Sequence, residues 1–436
     1  MKVEVRWKKL VKPSVPTPNN QRKLKLTSLD QLQMPIYIGV MFYYRDNVEN
    51  PGVDISQGLL QMEESLSETL TLFYPMAGRY IEDDDCFIDC NDLGVEFVYA
   101  EVDGQIVKLL HGDPNIDLLE RLSKYPTNVV GNPLVVIQVN AFECSGLAIS
   151  VRFTHKIGDM YTMVMFINSW ATTCRGNVEA IVTPSFELSS LLPVKGLAVP
   201  KLSPRRIGNE ELIMSRLRFN ADALSKLKAL ARDDAKDSMG NNSRPSRVEA
   251  VSALLGRAFV NICRNKHGEQ RTFVVCMPVN LREKINLAIP ANSCGNLFAV
   301  TWVQSGQPTA GKIELEFDGM VNVIRDMIAD AKTKYATVAD GEELCSMVGD
   351  SLAEFVKILA RGKDCPFGFS SWCRFGLCEN DFGWGRPVLV SNASSNFKSI
   401  FLIDDEETGG IDAWITTDED EMILVKQDPE ILKFTS

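Results

Sequence analysis

The stretch from Thr183 to Arg206, TPSFELSSLLPVKGLAVPKLSPRR, constrains this chain more than any other. Four prolines interrupt it, and no helical or strand period survives them. Proline fixes φ and gives no N–H to a ladder, so such a run crosses between folded bodies rather than building one. It stands between two parts that each mix helix and strand patterns, in a chain of 436 residues. A single core stops growing at roughly 250–300 residues. The expected organisation is therefore a domain over 1–182, a crossover linker over 183–206 and a second domain over 207–436.

The patterns on either side are α/β. From Ile55 to Tyr74, Leu59, Leu60, Met62, Leu66, Leu70 and Phe73 recur at helical spacing. Pro75 ends that helix by disfavouring helical geometry in the residue before it. CFIDC, VEFVYAEV, LVVIQVNAF and GLAISVRF read as strands separated by turn chemistry such as NDLG and ECSG. A helix follows over 161–174. Beyond the linker the pattern gives helices near 221–232 and 247–263, a polar loop DDAKDSMGNNSRP, and strands TFVVCMPV and NLFAVTWVQ. A long helix runs over 313–335, and the last hundred residues read mostly as strand. The opening 20 residues read as an extended lead-in.

The formal net charge of −11 and the lack of a basic stripe exclude a nucleic-acid binder. No run of 18 apolar residues occurs, so no membrane span is expected. The N-terminal MKVEVRWKKLVKPSVPTP lacks the apolar centre of a secretory signal, and the closing KFTS is neither a peroxisomal nor a prenylation signal. Eleven scattered cysteines without zinc-knuckle or redox spacing suit reduced thiols, and the expected location is the cytoplasm.

Motifs for several chemistries fail on inspection. SGQPTAGKI at 305–313 nearly spells a phosphate-cradling loop, but Ile313 replaces the metal-binding hydroxyl and Pro308 removes an N–H from the cradle. It reads as a surface turn. His111, His155 and His267 are far apart and have no second ligand at metal spacing, so no metal site is expected. No G-x-S-x-G elbow supplies a serine nucleophile. His111 and His267 sit among turn and polar residues and read as solvated. His155 differs, because FTHKIGD places it at the end of a strand with Asp159 four residues on. In a regular helix the two side chains would share a face and could pair; in a strand-to-helix turn the aspartate would instead brace the loop. Gly158 allows a tight bend there that would admit another molecule close to the backbone. An imidazole with an ordinary pKa of roughly 6.5 is suited to proton transfer at neutral pH.

A second stretch, DFGWG at 381–385, pairs with H-x-x-x-D at 155–159. Together with LTSLDQ (26–31), FYPMAGRY (73–80), CNDLGVEF (90–97), PSRVEA (245–250), VNLREK (279–284) and SWCRF (371–375), all in order, the chain resembles the plant BAHD acyltransferases along its whole length. KPSVPTP and HKIGD are most similar to the alkaloid O-acetyltransferase branch. Thr154 where serine is frequent, FGLCEN before the second motif and Lys284 in place of an arginine depart from the family pattern.

The resemblance implies two similar chloramphenicol-acetyltransferase-like α/β domains joined by a long crossover loop, with an active-site channel at their interface. It implies a cytosolic, monomeric enzyme without a metal or resident cofactor, using acyl-CoA as co-substrate and a small-molecule alcohol as acceptor. By the same resemblance His155 is the general base, Ser370 the oxyanion donor and Trp372 a wall of the reaction centre. Asp159, paired with Arg282, is structural, as are Asp381, Phe382, Gly383, Trp384 and Gly385, which would shape the CoA-side domain. Ser246 and Arg247 match a segment near the CoA phosphates. The expected reaction is acetyl transfer from acetyl-CoA to a hydroxyl of a plant specialised metabolite such as a monoterpene indole alkaloid, without a covalent acyl-enzyme. The rival expectations are a malonyl or aromatic acyl donor, an amine acceptor, or a non-catalytic metabolite-binding relative. The related condensation domains of peptide synthetases carry a second histidine just before the catalytic one, where this chain has Thr154.

Overall fold

The computed structural model describes residues 1–45, 55–83, 86–192, 211–231, 244–268, 271–305, 316–362, 364–393 and 397–435. The near-phosphate-loop at 305–313 beyond Ser305, most of the polar loop at 233–245 and the linker from 193 onward lie outside them. In chain order the first strands are β1 (Val3–Val11), β2 (Lys23–Lys25), β3 (Tyr37–Tyr44), β4 (Arg79–Ile81), β5 (Phe87–Asp89), β6 (Val95–Val102), β7 (Val135–Phe142) and β8 (Leu147–Thr154). They continue with β9 (Leu212–Phe219), β10 (Thr272–Asn280), β11 (Phe298–Gln304), β12 (Asp364–Ser371), β13 (Leu389–Asn392), β14 (Ser399–Asp405) and β15 (Gly410–Asp418).

Two compact units result, and neither is a single stretch of chain. The first comprises Met1–Leu197, Ala288–Leu297 and Arg374–Ser394. Its six-stranded sheet has the order β1-β6-β7-β8-β3-β13, beside a small β2-β5-β4 sheet. β8 pairs antiparallel with both β7 and β3, and all eight of its residues are buried. A strand covered on both faces must be apolar throughout, and LAISVRFT nearly is. Its one charge, Arg152, donates through Nε to Ser123 Oγ at 2.6 Å and through a terminal nitrogen to the Ala393 carbonyl. The helices Ile55–Leu72 and Met160–Cys174 pack together, and Trp170 Nε1 donates to the Met62 carbonyl at 3.0 Å.

The second unit comprises Ala198–Leu287, Phe298–Cys373 and Ser395–Ser436. Its sheet runs β11-β10-β12-β14-β15-β9. On one face Phe369, Ile400, Leu402, Ala413, Ile415 and Phe219 join a core with the helices Arg247–His267 and Phe317–Ala336. Two mixed six-stranded sheets with helical cover are the expected pair of α/β domains.

Several sequence expectations need correction. Val3–Val11 is not a lead-in but β1, which pairs with β6. The beginning of the expected linker belongs to the first unit: the Ser185 N–H donates to the Asn292 carbonyl and the Phe186 ring lies 5.3 Å from Tyr74. DFGWG also packs in the first unit rather than with the second, because β13 pairs with β3 and draws the motif with it. The C-terminal hundred residues contain a 20-residue helix, Gly341–Ala360, capped by Asp340 and burying Leu344, Cys345, Val348 and Gly349 at helical spacing. The helix starting at Arg247 continues through His267, whose surroundings read as a loop. The thiols are not all reduced, since Cys263 and Cys365 are joined as a disulfide. Among the described residues, no helix is long and apolar enough to cross a membrane.

Candidate active site

His155 begins the turn that leaves β8. Its N–H donates to the Ile36 carbonyl at 2.9 Å, and the Ile157 N–H closes the turn onto the Thr154 carbonyl at 3.2 Å. The helix Met160–Cys174 then starts with Asp159 as its N-cap. The segment is therefore the strand-to-helix turn, not a regular helix. Asp159 Oδ1 accepts from the Thr162 N–H (3.0 Å) and hydroxyl (3.1 Å), while Oδ2 accepts from the Leu297 N–H at 3.1 Å. An N-cap carboxylate satisfies backbone donors that the helix leaves open and sits favourably on its dipole. Gly158 serves packing rather than access: a Cβ there would lie 2.7 Å from the Thr162 side chain.

The imidazole is partly exposed, with Nδ1 buried. Burial holds its pKa below the ordinary histidine value. Its own backbone carbonyl, the charge of Asp159, the Asn296 side chain and the charge of Asp30 act in the opposite direction without prevailing. The ring is thus neutral at pH 7, the state a proton acceptor requires.

Two residues beside His155 escaped the sequence reading. Asn296 is fully buried, and its Nδ2 donates both to the His155 carbonyl at 2.9 Å and to Asp30 Oδ1 at 2.8 Å. Asp30, also buried, further accepts from the Asn296 N–H at 2.8 Å and from the N–H and hydroxyl of Thr27 at 2.9 and 2.7 Å. Burial raises its pKa, yet the converging donors are what an ionised carboxylate requires. The T-x-x-D spacing of Thr27 and Asp30 is a capping box and was readable; its connection to Asn296 spans 266 residues and was not.

DFGWG is a brace. Asp381 Oδ1 accepts from the Gly383 and Gly385 N–H groups at 2.7 and 3.0 Å, and both glycines have positive φ. Phe382 is buried, its ring 4.3 Å from Trp170 and 6.4 Å from Phe42. Trp384 lies so close to the helix Ile55–Leu72 that a Cβ on Gly58 would sit 2.1 Å from its ring.

The other expected residues are in the second unit. Ser370 lies on β12 opposite Phe401 of β14. Trp372 is buried, donates its N–H to the Leu402 carbonyl at 2.8 Å and lies 4.8 Å from the Phe401 ring. Ser246 caps the helix Arg247–His267 in a capping box with Glu249. Arg247 is bound to Asp404 at 2.8 Å and reaches the Gly409 and Gly410 carbonyls at 3.4 Å. Buried Arg282 donates its N–H to Asn280 Oδ1 at 3.0 Å. Among the described residues no cluster of His, Cys, Asp and Glu has the makings of a metal site.

Two mixed sheets, with a histidine where a strand turns into a helix, make this a two-domain α/β protein. A family model described as the Transferase family matches residues 1–432, and the chain belongs to that family, the BAHD acyl-CoA acyltransferases. It is 36% identical over 444 residues to acetyl-CoA-benzylalcohol acetyltransferase of Clarkia breweri, covering 100% of both chains. It is 30% identical over 444 residues to stemmadenine O-acetyltransferase of Catharanthus roseus, covering 98% of this chain and 96% of that one. The crystal structure of vinorine synthase matches with a TM-score of 0.81 at 27% identity, covering 100% of this chain and 99% of that one.

Proposed function

We propose that this acyltransferase moves an acetyl group from acetyl-CoA to a hydroxyl of a plant specialised metabolite, an aromatic alcohol or an alkaloid alcohol, with His155 as general base. The observation that carries the reading is the imidazole placed at the end of β8, its backbone held by Ile36 and Asn296. A hydroxyl is too weakly nucleophilic at pH 7 to attack a thioester unaided. His155 takes the hydroxyl proton as the oxygen bonds to the thioester carbonyl carbon, which supplies about 10²–10⁴-fold. The carbonyl oxygen becomes an oxyanion, which a positioned donor stabilises by on the order of 10²–10³-fold, the role that the family resemblance gives to Ser370. When the intermediate collapses, the C–S bond breaks and the imidazolium returns its proton to the departing CoA thiolate. The ester leaves, and no acyl group is attached to the protein at any stage.

One further assignment belongs to the same proposal: Ser246 with Arg247 forms the phosphate end of the CoA site at a helix N-terminus, where backbone N–H groups favour anions. The protein acts as a cytoplasmic monomer. The names of the Clarkia and Catharanthus relatives support an acetyl donor, and they divide between the two acceptor classes. The test is release of coenzyme A thiol from acetyl-CoA against benzyl alcohol, an indole alkaloid alcohol and a primary amine. Acceptor-dependent thiol release with an acetylated alcohol product is expected. Ligand binding without thiol release from any acceptor would instead establish a metabolite-binding protein.

A further inference from the structure

The fixed position of His155 has a source outside its own turn. Asp30 and Asn296 are 266 residues apart in sequence and both buried, at 4% and 0% exposure. The carboxylate grips Asn296 twice, through its backbone N–H and its side-chain amide, both at 2.8 Å. That amide has two N–H bonds: one goes to Asp30 Oδ1 and the other to the His155 carbonyl at 2.9 Å. Gly295 supports the approach, with φ of +130° and an implied Cβ position 3.6 Å from Asp30 Oδ1. The other carboxylate oxygen is tied to Thr27, which caps the short helix Ser28–Leu32. The His155 carbonyl is thus fixed on a chain of bonds ending in a buried charge.

We propose that Asp30 is a positioning residue for the transfer reaction: through the Asn296 amide it anchors the His155 carbonyl and so sets the imidazole in the orientation and tautomer that accept the hydroxyl proton. The clamp rests on the base role given to His155 above. Every polar contact in it is a full hydrogen bond of 2.7–2.9 Å, and charged or strongly polarised hydrogen bonds are the stronger kind. Buried networks of this kind hold side chains within the narrow tolerance that proton transfer needs; a displacement of about 1 Å can cost on the order of 10²-fold in rate. Asp30 and Asp159 are the two carboxylates whose charges act on the imidazole, from the helix Ser28–Leu32 and from the cap of the helix Met160–Cys174. Both favour the protonated ring, so loss of either charge moves the acid limb of the pH–rate profile to lower pH.

The experiment measures kcat, both KM values and the pH dependence of kcat/KM for Asn296→Ala, Asp30→Ala and Asp30→Asn, with His155→Ala run alongside. Asn296→Ala leaves Asp30 its bonds to Thr27 and to a backbone N–H, so the variant folds even if Asp30→Ala does not. Its kcat is expected to fall by roughly 10- to 100-fold with the KM for acetyl-CoA nearly unchanged. Asp30→Asn keeps an oxygen facing Asn296, so it recovers part of the rate lost in Asp30→Ala while its acid limb lies below that of the parent. If His155→Ala is inactive but Asn296→Ala keeps the parental kcat and Asp30→Asn the parental acid limb, the clamp is structural and the proposal is overturned. If His155→Ala is as active as the parent, the base role falls and the clamp falls with it.

Discussion

Replacing Phe382 with alanine separates a brace from a catalytic group. The ring is 1% exposed, and it lies on Trp170 of the helix Met160–Cys174 and edge-on to Phe42 of β3. Removing a buried aromatic ring costs roughly 3–5 kcal/mol through lost transfer energy and the cavity left behind. For a unit of this size each kcal/mol lowers Tm by about 2–4 °C, so the expected fall is roughly 6–20 °C. His155 is held by the Ile36 and Asn296 bonds, neither of which involves Phe382. The kcat of the folded variant, assayed well below its midpoint, is accordingly expected to stay close to the parental value. Differential scanning calorimetry paired with thiol-release kinetics measures both quantities on one preparation. A variant that melted like the parent yet lost most of its kcat would refute the reasoning and place DFGWG in the chemistry.

Two further outcomes follow from the packing. Gly58→Ala puts a methyl group into the Trp384 ring, and the overpacking, about 1–3 kcal/mol, exceeds the helix-propensity gain of up to about 1 kcal/mol; a lower Tm that is partly restored when Trp384→Leu is added checks this by a double-mutant cycle. The Cys263–Cys365 disulfide spans 102 residues, and closing a loop near that length stabilises by up to about 4.7 kcal/mol; reductant should therefore lower the parental Tm and leave that of Cys263→Ser unchanged.

What the sequence disclosed follows the range of the interactions involved. The helix Ile55–Leu72 and strands β6 and β8 were legible because their periodicity is local and tertiary packing reinforces it. The strand-to-helix turn at His155 was one of two readings, and Asp159 decided it by capping the helix. β1 was missed although Val3, Val5 and Trp7 alternate with Glu4, Arg6 and Lys8, because VEVRWKKLV carries four charges in nine residues and is mostly exposed at a sheet edge. The helix Gly341–Ala360 carried a readable stripe, Leu344, Cys345, Val348, that was overlooked beside the strand-like runs after it. Membership of units was the least legible property. Ala288–Leu297 and Arg374–Ser394 return to the first unit through pairings such as β13 with β3, which link residues more than 300 positions apart. The Asp30–Asn296 connection is hidden for the same reason.

The most direct test of the account follows kcat/KM against pH for the parent and for His155→Ala with one verified alcohol acceptor. A base held neutral by burial gives a parental profile that is flat near pH 7 and falls only below the ordinary histidine value of roughly 6.5. The alanine variant should be slower by about 10²–10⁴-fold and should lack that limb. A His155→Ala enzyme within roughly 3-fold of the parent, with the acid limb intact, would contradict general-base catalysis by this residue.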